Sequence, residues 1–340
     1  MSDRSGASLA CAMCWRAACA RRARGSASRP QLIEAETGAH LWADRFDGAL
    51  EDVFDLQDKI TAAIVGIIEP NLRRAEIERA QRERPESLDA YDLYLRALPH
   101  LTSVMPADAA IGMGLLEEAL KLDPNYAAAH AYLAWALEVR FFRGGFNEAD
   151  AAASVRHARA AVTYGGDDAT ALAVATISLL HLGHDFEAAS GAIARALAVN
   201  GSSATALYYG AHIHAFSGDA ALAEEYAVRA LRLSPFDALA FEGFFAQASV
   251  RIRDRRFDEA AAHMARAVQA NPRFSSLHVV HAAALALAGR IEDANAVAKL
   301  ALELEPTFRV GPWKHIVPKF MLPELWRPLL DGMRLAGLPE

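Results

Sequence analysis

The sequence predicts an all-α chain, a solenoid of stacked antiparallel helix pairs preceded by a small β-hairpin. Three observations predict it. A helix-ending phrase recurs six times along residues 117–306, small residues stand at two fixed offsets before each recurrence, and glycine or proline punctuates the helix ends.

The elements follow in order. Residues 1–30 are rich in Ala, Arg, Ser and Gly, which suits a disordered tail better than a packed element. Within 31–46, QLIEAETGAHLWADRF reads as strand, Glu-Thr-Gly turn and strand, with Trp42, Asp44 and Phe46 on one face. The following LEDVFDLQDKITAAIVGIIEP carries Val53, Leu56, Ile60, Ile64 and Ile67 at helical spacing, so 31–85 is expected to be a hairpin plus a linker helix. A lone hairpin is marginal in water, and the strands of any larger sheet are missing.

From residue 86 the repeats begin. The recurring phrase is EEALKLDP (117–124), RAAVTYGG (159–166), ARALAVNG (194–201), VRALRLSP (228–235), ARAVQANP (265–272) and LALELEP (300–306). Its final residues, Pro124, Gly166, Gly201, Pro235, Pro272 and Pro306, are 42, 35, 34, 37 and 34 residues apart. Five residues before each stands Ala119, Ala161, Ala196, Ala230, Ala267 or Ala301, followed by Leu or Val. Twelve residues before stands Gly112, Ser154, Ala189, Ala223, Ala260 or Ala294. Small side chains at a fixed period let neighbouring helices approach closely.

Gly183, Gly218 and Gly289 are expected to end the first helix of a pair. The two longer intervals are expected to place their extra residues in solvent-facing turns, at 140–150 and 250–260. One pair cannot bury its own apolar face, so the array needs stacking and capped ends. Residues 311–340 supply the cap through Leu325, Trp326, Leu329, Leu330 and Met333, with Pro328 expected to break or kink that helix.

A period near 34 with these small residues resembles the tetratricopeptide repeat, whose helix pairs wind into a right-handed superhelix. About six repeats are expected over 86–310. The stretch LIEAETGAHLWADRFD, then LRRAEIERAQRERPESLDAYDLYLRAL and the closing RLAGLPE, resembles bacterial signalling proteins. In those proteins a class III adenylate cyclase or winged-helix domain precedes a TolB-like α/β domain and tetratricopeptide repeats. The resemblance implies that 31–85 is a remnant of the TolB-like domain. Members of that family enter the hairpin through a peptide such as VRYVLEGSVR. Read one base late in GC-rich codons, it becomes CAMCWRAACA, the sequence at 11–20, so the resemblance implies an out-of-frame tail over 1–30.

Composition narrows the chemistry. A net charge of -7 over 340 residues gives no basic field for nucleic acid or anionic lipid. No run approaches the roughly 18 apolar residues of a membrane helix, so the reading is cytoplasmic, with no membrane and no nucleic-acid partner. Cys11, Cys14 and Cys19 crowd one segment, which excludes a disulfide framework for the fold. CAMC lacks a second pair, and the histidine pairs His181/His184, His212/His214 and His278/His281 lack a carboxylate at ligand spacing, so neither metal nor cofactor is expected. Nucleophile elbows and phosphate-binding glycine loops are missing. The paired aspartates of a class III cyclase also have no counterpart in the sequence.

Binding is therefore the expected function: a non-catalytic module that recognises a protein or peptide ligand in the groove lined by first helices. Counting back from the anchors nominates Tyr132, Trp135, His181, Tyr208, His212, Phe216, Glu242 and Ser249 for that groove. The resemblance leaves two alternatives: a cyclase-related protein of cyclic-nucleotide signalling, or a fragment of a winged-helix regulator.

Overall fold

The computed structural model describes the backbone of 13–22, 25–34, 40–43 and 46–48, then Ile77, 89–102, 106–234 and 237–340. Two compact units divide the chain, 1–68 and 69–340.

In the first unit, β1 (Met13–Arg22), β2 (Gly25–Glu34), β3 (His40–Ala43) and β4 (Phe46–Gly48) form an antiparallel sheet. β2 lies centrally, pairing β1 from Met13↔Glu34 to Arg22↔Gly25, and β3 and β4 on its other edge. The hairpin read at 31–46 corresponds to β2 and β3, with Leu32 opposite Trp42 and a bulge after Leu32. The expected disordered tail is corrected at 13–22 and 25–30, which are paired. A ladder is made of main-chain donors and acceptors, which a side-chain composition does not count. The helix expected after residue 49 lies outside the described residues, as does Cys11.

The second unit is a run of helix pairs. They are α1 (Ala90–Thr102) with α2 (Pro106–Leu122), α3 (Ala127–Arg143) with α4 (Glu148–Tyr164), and α5 (Ala169–His181) with α6 (Phe186–Val199). There follow α7 (Ala204–Ser217) with α8 (Ala220–Leu233), α9 (Ala240–Arg253) with α10 (Phe257–Ala270), and α11 (Ser275–Leu287) with α12 (Ile291–Leu304). Side-chain oxygens start several of them: Asp168, Asp185, Ser203 and Asp219 each accept from a main-chain N–H three residues on. Such caps satisfy donors that the first helical turn leaves open.

The small-residue ladder is the axis of packing. Ala119, Ala161, Ala196, Ala230, Ala267 and Ala301 are all completely buried, as are Ser154, Ala189, Ala260 and Ala294. The Leu or Val after each alanine is half-buried. At Gly112 an added Cβ would stand 2.6 Å from the Leu101 side chain, so the smallest residue sits where two helices touch.

First helices end where expected, but glycine is not always the residue that turns. Gly218 (φ 104°) and Gly289 (φ 80°) adopt the left-handed conformation, whereas in the preceding repeat His184 does so (φ 52°) and Gly183 does not. Gly183 is needed for proximity instead, since a Cβ there would lie 2.6 Å from the Leu179 carbonyl oxygen.

The long intervals need a correction too. Between Pro124 and Gly166 the surplus lengthens both helices to 17 residues, against 13 and 14 for α5 and α6, while the intervening turn keeps the same length. Between Pro235 and Pro272 most of the surplus precedes α9. Anchor spacing measures total length only, so it cannot say which element grew.

After α12 the chain makes α13 (Val310–Ile316), a 3-10 turn (Val317–Lys319) and α14 (Pro323–Leu335). Helix α14 runs through Pro328 unbroken as an element. The ring costs one hydrogen bond, and burial of Leu325, Leu329, Leu330 and Met333 on the same face offsets it. Helix α14 packs along α11 and reaches α9. At Gly332 an added Cβ would stand 2.6 Å from the Ala283 carbonyl oxygen, so only glycine permits that approach.

Candidate functional site

The C-terminal segment does more than cover the last repeat. It crosses the face made by the first helices, back to the second repeat. Trp313 stacks on Phe142 of α3 with ring centroids 5.3 Å apart. Phe320 lies 4.5 Å from the His181 ring of α5 and 6.0 Å from Phe216 of α7. Beside them Arg143, at the end of α3, pairs with Glu305, just after α12, at 3.6 Å. The array thus curls until its second and sixth repeats meet around this segment.

Under the segment lies a cavity of about 140 Å³. Its wall is mainly aromatic and aliphatic, with Phe142, Phe216, Phe245, Trp313 and Phe320 prominent. Polar groups converge on one side.

There Glu138, His181, His212 and Glu242 form a continuous buried chain, one residue from each of α3, α5, α7 and α9. His181 Nδ1 is 2.7 Å from Glu138 Oε1, the two Nε2 atoms are 3.1 Å apart, and His212 Nδ1 is 2.7 Å from Glu242 Oε2. Ser178 donates to the other oxygen of Glu138 at 3.2 Å. Burial pushes the Glu138 carboxyl up to about 8, and burial holds the His181 imidazole well below its ordinary value.

One arrangement of protons follows these two directions. Glu138 donates to His181 Nδ1, His181 Nε2–H donates to His212 Nε2, and His212 Nδ1–H donates to Glu242. Every ring nitrogen then has a partner.

All eight nominated groove residues are less than a tenth exposed, so none presents an open surface. That corrects the expectation of an accessible groove: the C-terminal segment overlies five of the eight, and packing within the array buries the other three. Trp135, His181, His212, Phe216 and Glu242 do line the cavity. Three do not. Tyr132 packs on Tyr94 of the first repeat, Tyr208 donates from its hydroxyl to the Ser234 carbonyl, and Ser249 donates back to Phe245.

Sequence reasoning missed Glu138, Phe142, Phe245, Trp313 and Phe320. Glu138 stands one turn after Trp135 on α3, a spacing that puts both on one helix face and could have found it. Among the described residues no group of three or more His, Cys, Asp or Glu side chains is arranged to hold a metal ion. Nor, among them, is any helix long and apolar enough to cross a membrane.

Comparison with known proteins places this geometry. No protein-family model matches the chain. A Rhizobium meliloti (strain 1021) protein described as "Putative adenylate cyclase 3" is 37% identical over 103 residues, 30% of this chain and 18% of that protein, so the match spans under a fifth of its length. Among solved structures, the human IFIT1 dimer with m7Gppp-AAAA is similar at a TM-score of 0.51 and 18% identity, over 73% of this chain and 59% of that one. The APC/C hetero-tetramer Cut9-Hcn1 is similar at a TM-score of 0.50 and 12% identity, over 71% of this chain and 44% of that one. At these identities the likeness is one of fold, and the helical array is a tetratricopeptide-repeat solenoid.

Proposed function

We propose that the chain is a non-catalytic regulatory module of a bacterial signalling protein, whose concave groove recognises an aromatic-bearing helical segment of a protein. One observation carries the reading: the groove already holds such a segment, with Trp313 and Phe320 seated against Phe142, His181 and Phe216. A partner presenting similar aromatic residues would compete with residues 310–335 for the same wall. Large, stiff aromatic side chains are good anchors for such exchange. The IFIT1 structure contains m7Gppp-AAAA. Here the cavity wall carries Glu242, and its one arginine, Arg143, is paired with Glu305, a charge pattern unsuited to phosphates.

The test uses the full chain with Trp313, Phe320 and Trp326 all changed to Ala. A synthetic peptide of residues 310–335 should bind this variant at micromolar concentration and not bind the wild type. A variant that stays helical by circular dichroism yet ignores the peptide would refute the groove reading.

The match to a protein described as an adenylate cyclase favours a second reading, a cyclase-related protein of cyclic-nucleotide signalling. Incubation of the full chain with ATP and Mg²⁺ or Mn²⁺ separates the two. The regulatory reading expects no cyclic AMP, and measurable turnover would replace it.

A further inference from the structure

We propose that the cavity beneath the C-terminal segment is a binding site for a small amphiphilic amine, an apolar or aromatic body carrying one ammonium group. This goes beyond the groove reading and does not depend on it. The wall supplies the body's environment: Phe216, Phe245, Val280, Trp313, Phe320 and Met333 line it. An apolar wall with a few convergent polar groups is the usual form of a small-molecule site.

The head group follows from Glu242. This residue is 8% exposed and lines the cavity, and only its Oε2 is engaged, by His212 at 2.7 Å. Among the described residues no hydrogen bond reaches its Oε1. Oε1 is thus an acceptor on the cavity wall, to which a ligand ammonium would bring both a donor and an opposite charge. The other ionisable groups at this end of the wall already have partners. Arg143 pairs with Glu305, and Glu138 is closed by Ser178 and His181.

Phe245 stands one turn beyond Glu242 on the same face of α9, which offers the ammonium a ring as well as a carboxylate. A ligand carboxylate would instead meet Glu242 as a like charge. A neutral alcohol could donate one hydrogen bond without the charge.

The experiment titrates the full chain with 4-phenylbutylamine, 4-phenylbutanol and 4-phenylbutyrate. Binding is followed by calorimetry and by the fluorescence of Trp135, Trp313 and Trp326, which line the cavity. The expected order is amine tighter than alcohol by at least about tenfold, with butyrate weakest. Glu242→Gln, which keeps an acceptor for His212, should weaken the amine about tenfold and leave the alcohol unchanged. Val280→Phe should fill the cavity and abolish saturable binding of all three. Any other order in the wild type overturns the proposal, and that comparison needs no variant. Undiminished amine binding in a folded Glu242→Gln, or in Val280→Phe, overturns it as well.

Discussion

The first and second helices of the repeats have similar lengths and are buried very differently. Helix α7 is buried at 13 of its 14 positions and α5 at 12 of 13. Helix α8 is buried only at Ala223, Ala227, Ala230 and Leu233, and α12 only at Ala294, Ala298 and Ala301. A single stripe is what an outer helix of a layered array needs. Burial all round means that something covers the inner side, and the returning C-terminal segment is that cover. The outer layer therefore carries the repeat, and the inner layer carries the repeat and a site.

Substitutions in the two layers should separate these duties. The largest effect is expected from Phe216→Ala, which removes an inner ring packed on His181, His212 and Phe320. Truncation of a buried aromatic costs about 3–5 kcal/mol, read as a drop in the denaturant midpoint. A loss under about 1 kcal/mol would mean that the inner layer is loosely packed. Next comes Ala196→Leu on α6. Overpacking a completely buried contact costs about 1–3 kcal/mol, and a neutral result would show that the outer stripe has room.

A third prediction concerns the acidic chain inside the inner layer. Glu138 has its folded value raised to about 8 from 4.5, mainly by burial. Between those values the folded state holds a proton that the unfolded state has lost, so stability is present at low pH and falls as pH rises through 8. The slope is about 1.4 kcal/mol per pH unit within that window. Glu138→Gln should flatten the fall in melting temperature between pH 4.5 and about 8, and an unchanged slope there would count against a protonated Glu138. His181, held below its ordinary value by burial, acts in the opposite sense, with stability lost as pH falls below 6.5. The smallest effect is expected outside, where Val228→Glu on the exposed face of α8 should stay within about 0.5 kcal/mol.

The outer layer was the legible one. Small residues at a fixed period report a contact that each repeat makes with its neighbour, so Ala196, Ala230 and Ala301 could be placed from spacing alone. The inner layer depends on a segment arriving from the far end of the chain. No local pattern says that Trp313 will lie on Phe142, although the aromatic richness of 308–326 was a sign that the tail had more to bury than one end cap requires. For the same reason five nominated groove residues do meet at one cavity, while their exposure was misjudged. Tyr132, Tyr208 and Ser249 failed for a simpler reason: a helix buried all round has no single face that counting back from an anchor can select.

The Arg143–Glu305 junction changes how the molecule should come apart. Linear repeat arrays couple only adjacent units and melt from their ends inward. Here the sixth unit is tied to the second through this ion pair and the returning tail, so the last five units should open together, in a single step. The first unit, α1 with α2, stands outside that loop, and its amides should be the earliest to exchange with solvent deuterium.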